Sequence, residues 1–203
     1  MGNGCSRAVA RLIPRLTLST DIRASLRRYK PEKRREPLRR RPDEELNFIQ
    51  SSVKPGKLLY DTTVYIDILQ DRFPRMGDFM LATAEAWHSP VTEAELTVVA
   101  GLLDPAHPNT RKTIEAIVVV LNQCAIHRTI VPDAVVWREA GILSGILARL
   151  QGYDKGQRRR LMNDALLFVT ARRYGCTVLT RNVGDFDFLQ QLDPAGRVMF
   201  YRV

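Results

Sequence analysis

With 203 residues, 45% of them hydrophobic and 26% charged, the chain can fill one ordinary core with an appendage, so wholesale disorder is excluded. Its longest aliphatic run, Ala116 to Leu121, falls far short of the roughly 20 residues that span a bilayer, and Cys5, Cys124 and Cys176 have neither disulfide-framework nor zinc-site spacing, so a reducing, cytoplasmic setting is expected. The net charge of +9 is local, because residues 1–57 hold 15 Lys/Arg against 6 Asp/Glu while residues 58–203 hold 16 of each, a balance that implies contact with polyanions.

Residues 1–56 read as a basic, flexible N-terminal extension. Met1-Gly2-Asn3-Gly4-Cys5-Ser6 matches a myristoylation pattern, and Arg7, Arg11 and Arg15 recur at helical spacing as in an organellar transit peptide. One short helix is predicted near Asp21 to Tyr29. Basic clusters and Pro31, Pro37, Pro42 and Pro55 interrupt the remainder.

From Lys57 the pattern becomes regular, and residues 57–203 form one domain. Leu58 to Tyr60 is a short apolar run for a buried strand, followed by a helix through Leu69. Further helices are predicted near Met76 to Trp87, Glu93 to Leu102, Thr110 to Ala125, Ala134 to Leu150 and Arg158 to Tyr174. Strands are expected near Thr129 to Val131, Cys176 to Thr180 and Val198 to Tyr201. Interspersed strands and helices predict an α/β fold around a mainly parallel central sheet flanked by helices.

Ligands of a parallel sheet gather beyond the carboxyl ends of its strands. Asp61 directly follows one apolar strand, and Asp185 follows another by a short turn. Asp164 shares a helix face with Leu161, Phe168 and Ala171, where an unpartnered carboxylate is costly. Glu95 has a structural alternative, since Thr92 and Glu95 match a capping box. Glu93 cannot share a helix face with Glu95. Asp67 and Asp187 read as solvated surface or helix-end acids. Arg158, Arg159 and Arg160, with Arg172, Arg173 and Arg181 nearby in sequence, could hold phosphates beside an acidic pocket. His88, His107 and His127 are too scattered for a histidine-based site.

Leu58-Leu59-Tyr60-Asp61-Thr62-Thr63-Val64, Ser89-Pro90-Val91-Thr92-Glu93-Ala94-Glu95-Leu96, Asn163-Asp164-Ala165-Leu166-Leu167 and Thr180-Arg181-Asn182-Val183-Gly184-Asp185-Phe186 resemble, in order and approximate spacing, the four acidic motifs of PIN-domain ribonucleases, most of all VapC-type toxins of bacterial toxin–antitoxin systems. The resemblance covers essentially all of residues 57–203. It implies a PIN-like fold and a metal-dependent endoribonuclease that hydrolyses RNA phosphodiester bonds. The implied ligands of Mg2+ or Mn2+ are Asp61, Glu95, Asp164 and Asp185, with Thr180 and Asn182 in support; Arg158 and Arg159, from the basic run itself, are the expected phosphate contacts. An RNA substrate, an antitoxin partner and a homodimer are implied as well, and the apolar runs near Ile117 to Leu121 and Val135 to Leu150 offer surface for protein contact. The 56-residue basic extension departs from typical members. Two other readings compete: a non-catalytic PIN-like nucleic-acid-binding module that uses the basic N-terminal arm, and a phosphatase of the haloacid dehalogenase type. The latter needs a second acid where Thr63 stands.

Overall fold

The computed structural model describes residues 22–50 and 56–203; the myristoylation-like start and the Arg7 to Arg15 pattern lie outside them. Four strands, β1 (Lys57–Tyr60), β2 (Glu85–Trp87), β3 (Thr177–Thr180) and β4 (Arg197–Phe200), form one parallel sheet in the order β2-β1-β3-β4. Alternation along each strand divides two cores. Leu59, Val178, Val198 and Phe200 face one, and Leu58, Tyr60, Leu179 and Met199 face the other. A parallel sheet covered on both faces requires such continuous apolar strands.

Helices α2 (Thr62–Leu69), α3 (Asp78–Thr83), α4 (Pro90–Leu102) and α5 (Thr110–Gln123) contribute Val64, Met80, Leu96 and Ile117 to the second core. Helices α6 (Ala134–Gln151), α7 (Lys155–Tyr174) and α8 (Val183–Leu192) cover the first. A tight corner joins α6 to α7: Gly152 takes the left-handed φ of 66° that ends α6, and Asp154 with Gln157 makes a reciprocal capping box that starts α7. Tyr153 is left between them.

The mainly parallel α/β fold is thus as expected, with local corrections. The helix predicted over Met76 to Trp87 stops at Thr83, and Glu85–Trp87 pairs with β1 as β2. Thr129 makes only an isolated bridge to His88, and Val131 is 65% exposed, so the expected strand there reduces to one bridge. Ser89 caps α4 by accepting from the Val91 amide. The expected Thr92–Glu95 capping box is absent: the Thr92 hydroxyl donates to the Tyr60 carbonyl and ties α4 to β1.

The larger correction concerns the extension. Residues 22–50 pack along the domain as a strap, opening with α1 (Ile22–Tyr29), which lies on α6. Tyr29 is 1% exposed, and its hydroxyl and the Arg28 guanidinium both donate to Asp193. Arg41 donates from its backbone amide at 2.9 Å and its Nε at 2.6 Å to Asp187. Ile49 donates to the Phe200 carbonyl, and Phe200 donates to that of Asn47, so the strap covers the open edge of β4. The surplus apolar surface expected on α6 is largely buried, partly beneath α1, whereas α5 keeps Val118 and Val119 exposed.

Asp67 and Asp187, expected to be solvated, are fully buried. Asp67 accepts from Tyr201 and pairs with Arg72 and Arg181; Asp187 is held by Arg41 and Gln191. Buried carboxylates need such partners.

Candidate active site

The connection out of β1 runs to β2 and that out of β3 runs to β4, in opposite directions across this sheet. A crevice therefore opens beyond the carboxyl ends of β1 and β3. Asp61 follows β1, and Thr180, Asn182 and Asp185 end or follow β3. Glu95 on α4 and Asp164 on α7 line the same cleft of about 350 Å³, together with Thr62, Thr63, Tyr153, Gln157 and Arg160. All four sequence-predicted acids are thus brought together from separate parts of the chain.

Asp61 is buried and caps α2. Its Oδ1 accepts from the Thr62 amide at 2.8 Å, and its Oδ2 accepts from the Thr63 and Thr180 hydroxyls, each at 2.7 Å. Thr63, where the phosphatase reading requires an acid, is therefore a donor to Asp61. The Arg181 and Asn182 amides donate to the Thr63 and Thr180 hydroxyls, so the turn after β3 is locked to the start of α2. Glu95 accepts from the Thr62 hydroxyl and, at 2.7 Å, from Asn163 Nδ2. Asn182 caps α8 through its Oδ1, while its Nδ2 bridges Asp164 at 3.1 Å and Asp185 at 3.2 Å. The Tyr153 hydroxyl holds the other face of Asp185 at 2.7 Å.

These contacts restrain the acids without neutralising them. Burial, then the neighbouring charges of Asp61, Asp185 and Glu95, push the Asp164 carboxyl well above the usual range. Burial also raises Asp61, reinforced by Glu95 and opposed by the Thr180 and Thr63 hydroxyls and the Thr62 amide. The Tyr153 hydroxyl is raised by burial and by its bond to Asp185.

Among the described residues no three acids, imidazoles or thiols stand close enough to form a ready-made metal centre. The donor set nevertheless fits one kind of ion. Four carboxylates crowded in a cleft with no lining His or Cys suit a hard divalent cation that retains several waters and takes one or two carboxylates directly.

Of the basic residues, Arg158 and Arg159 are exposed at the first turns of α7, and Arg158 Nε donates to the Tyr153 carbonyl. Arg160 lines the cleft itself. Arg172 pairs with Glu139 and Asp193, Arg181 with Asp67, and Arg173 with Asp133 at 3.5 Å; these three serve the fold instead of lining the cleft. Sequence reasoning missed Tyr153, Gln157 and the donors to Glu95. The glycine-bounded α6–α7 corner was the available signal for Tyr153.

No family model matches the chain, and no curated protein is significantly similar to it. Solved structures are. VapBC2 from Rickettsia felis, bound to a DNA fragment from its promoter, superposes with a TM-score of 0.51 at 14% identity, covering 72% of this chain and 99% of that one. VapBC-1 from nontypeable Haemophilus influenzae gives 0.51 at 19% identity, covering 71% and 97%. The fold is therefore the VapC-like PIN-domain fold.

Proposed function

From a VapC-like PIN fold with four acids gathered at its switch point, we propose that this chain is a metal-dependent endoribonuclease, the toxin of a type II toxin–antitoxin pair. One observation carries the reading: Asp61, Glu95, Asp164 and Asp185 share a cleft whose crowded charge favours a cation. A bound Mg2+ or Mn2+ would lower the pKa of a water and offset charge on the scissile phosphate. Asp61 and Asp164 would be its principal ligands, Glu95 would position metal or water, and Asp185 would complete the cluster.

The surroundings supply complementary roles. Thr180, Thr63 and Thr62 orient Asp61, while Asn182 and Tyr153 fix Asp185, so these two carboxylates are set before substrate arrives. Arg160 at the cleft, with exposed Arg158 and Arg159, suits phosphate contacts that place an RNA strand. An antitoxin that fills the cleft and a second copy of the chain are the proposed protein partners. Convergence of all four acids favours this enzyme over a non-catalytic binding module.

Purified protein incubated with a mixed RNA pool tests the proposal. Cleavage should require Mg2+ or Mn2+, stop in EDTA and vanish in identically prepared Asp164→Asn protein. Equal cleavage by the variant would refute the assignment.

A further inference from the structure

The strap lies against the corner that carries the cleft wall. The Arg149 guanidinium, near the end of α6, donates to the Pro31 carbonyl at 2.9 Å, and Gln151 Nε2 donates to that of Leu38 at 3.0 Å. Residues 31–38 therefore run beside the last turn of α6, immediately before Gly152 and Tyr153. Arg149 and Arg158 line a shared depression of about 410 Å³ across this corner. Arg158 in turn bonds to Tyr153, which holds Asp185 inside the cleft.

Charge follows the same path. Residues 22–41 carry ten Lys/Arg and two Glu. Lys30, Lys33, Arg35, Arg149 and Arg158 are exposed, and no ion pair among the described residues neutralises them. These side chains come from two segments, residues 30–35 of the strap and the α6–α7 corner, which the Arg149–Pro31 bond joins across 118 positions.

We infer that the docked strap and the α6–α7 corner form a cationic track that carries the backbone of single-stranded RNA from Lys30, Lys33 and Arg35, across Arg149 and Arg158, into the acidic cleft. The direction of the track rests on the proposed reading of the cleft as the RNA site. Its cations are flexible phosphate ligands on a depression without an aromatic base platform, so the track holds RNA by charge and without sequence preference. Sequence choice is left to the cleft. The chain accordingly prefers a strand long enough to occupy both places.

Binding tests this without catalysis. Full-length protein in EDTA, on an Asp164→Asn background, is titrated with labelled RNAs of about six and about twenty nucleotides, lengths that bracket a single-strand site. The longer RNA should bind at least about tenfold more tightly, with a steeper salt dependence. Lys33→Glu/Arg35→Glu should abolish that gain and flatten the salt slope by about 1.4, or roughly 0.7 for each lost phosphate contact. Lys33→Ala/Arg35→Ala should lose part of it, and matching thermal melts would establish that the variants retain the fold. An unchanged length gain and salt slope in a folded variant would overturn the track. So would length-independent RNA binding together with strap-dependent binding to phosphatidylglycerol vesicles. Failure to cleave RNA with metal would count against the nuclease, whereas loss of strap dependence with cleavage intact would count against the track alone.

Discussion

Replacing Asp164 by Asn makes crowding in the acidic cleft measurable without a substrate. The Asn182 amide lies 3.1 Å from one Asp164 oxygen and 3.2 Å from one Asp185 oxygen, which keeps those carboxylates within a few ångströms of each other. Two unit charges roughly 5–6 Å apart repel by about 3 kcal/mol at an effective dielectric of about 20. Burial and three acidic neighbours raise Asp164 well above the usual range. A carboxyl whose pKa rises on folding is neutral in both states at low pH. Above its unfolded value of about 3.9 the unfolded chain releases the proton first, so stability falls as pH rises, by up to about 1.4 kcal/mol per pH unit, until the folded pKa is passed. The substituted amide carries no charge and still offers Asn182 an acceptor. In EDTA, Asp164→Asn should be more stable than wild type by about 2–3 kcal/mol near pH 8, with the difference vanishing toward about pH 4. Urea unfolding across this range measures it, and added Mg2+ should stabilise wild type more than the variant. Parallel pH profiles, or a variant less stable near pH 8, would refute the reasoning.

Three other perturbations probe separate parts of the molecule. Arg41→Ala removes the counter-ion of buried Asp187, and because Arg41 is 30% exposed the expected loss is about 2–3 kcal/mol, below the usual 3–5 for a fully buried pair; urea midpoints within about 0.5 kcal/mol of wild type would contradict it. Gly196→Ala would place a methyl group 2.1 Å from the ring of core Phe168, so thermal unfolding should record a loss of about 1–3 kcal/mol; an unchanged Tm would count against this packing. Tyr153→Phe removes the hydroxyl donor to Asp185 and, on the nuclease reading, should lower kcat/KM for RNA about tenfold in a folded protein, consistent with losing a hydrogen bond to a charged group. Equal kcat/KM would remove Tyr153 from the site.

Asp61, Asp185 and Asp164 were legible because two follow apolar strands and the third interrupts an apolar helix face, all within short sequence windows; Glu95, whose spacing favoured a capping box, was legible only through the motif resemblance. The strap was not, since its contacts are distant: Arg41 meets Asp187 across 146 positions and Tyr29 meets Asp193 across 164. A dense run of arginines reads as solvated until those carboxylates are in view. Asp67 was obscured similarly, with Tyr201 134 positions away. Thr129 and Glu85 were misread because pairing, a lone bridge to His88 for the one and a ladder with β1 for the other, rather than local propensity, decides such short segments.

Closure of the β4 edge by the strap also imposes an order on assembly. Asn47 donates to the Val198 carbonyl, which is synthesised 151 positions later. At translation rates of about 5–20 residues per second, the strap must wait on the order of ten seconds for this partner. During that interval its cations are exposed beside the ribosome, and the long loop that its docking closes gives the fold a high contact order. Nascent chains halted before α8 should therefore leave residues 22–50 open to protease, while release of the last strand should protect them.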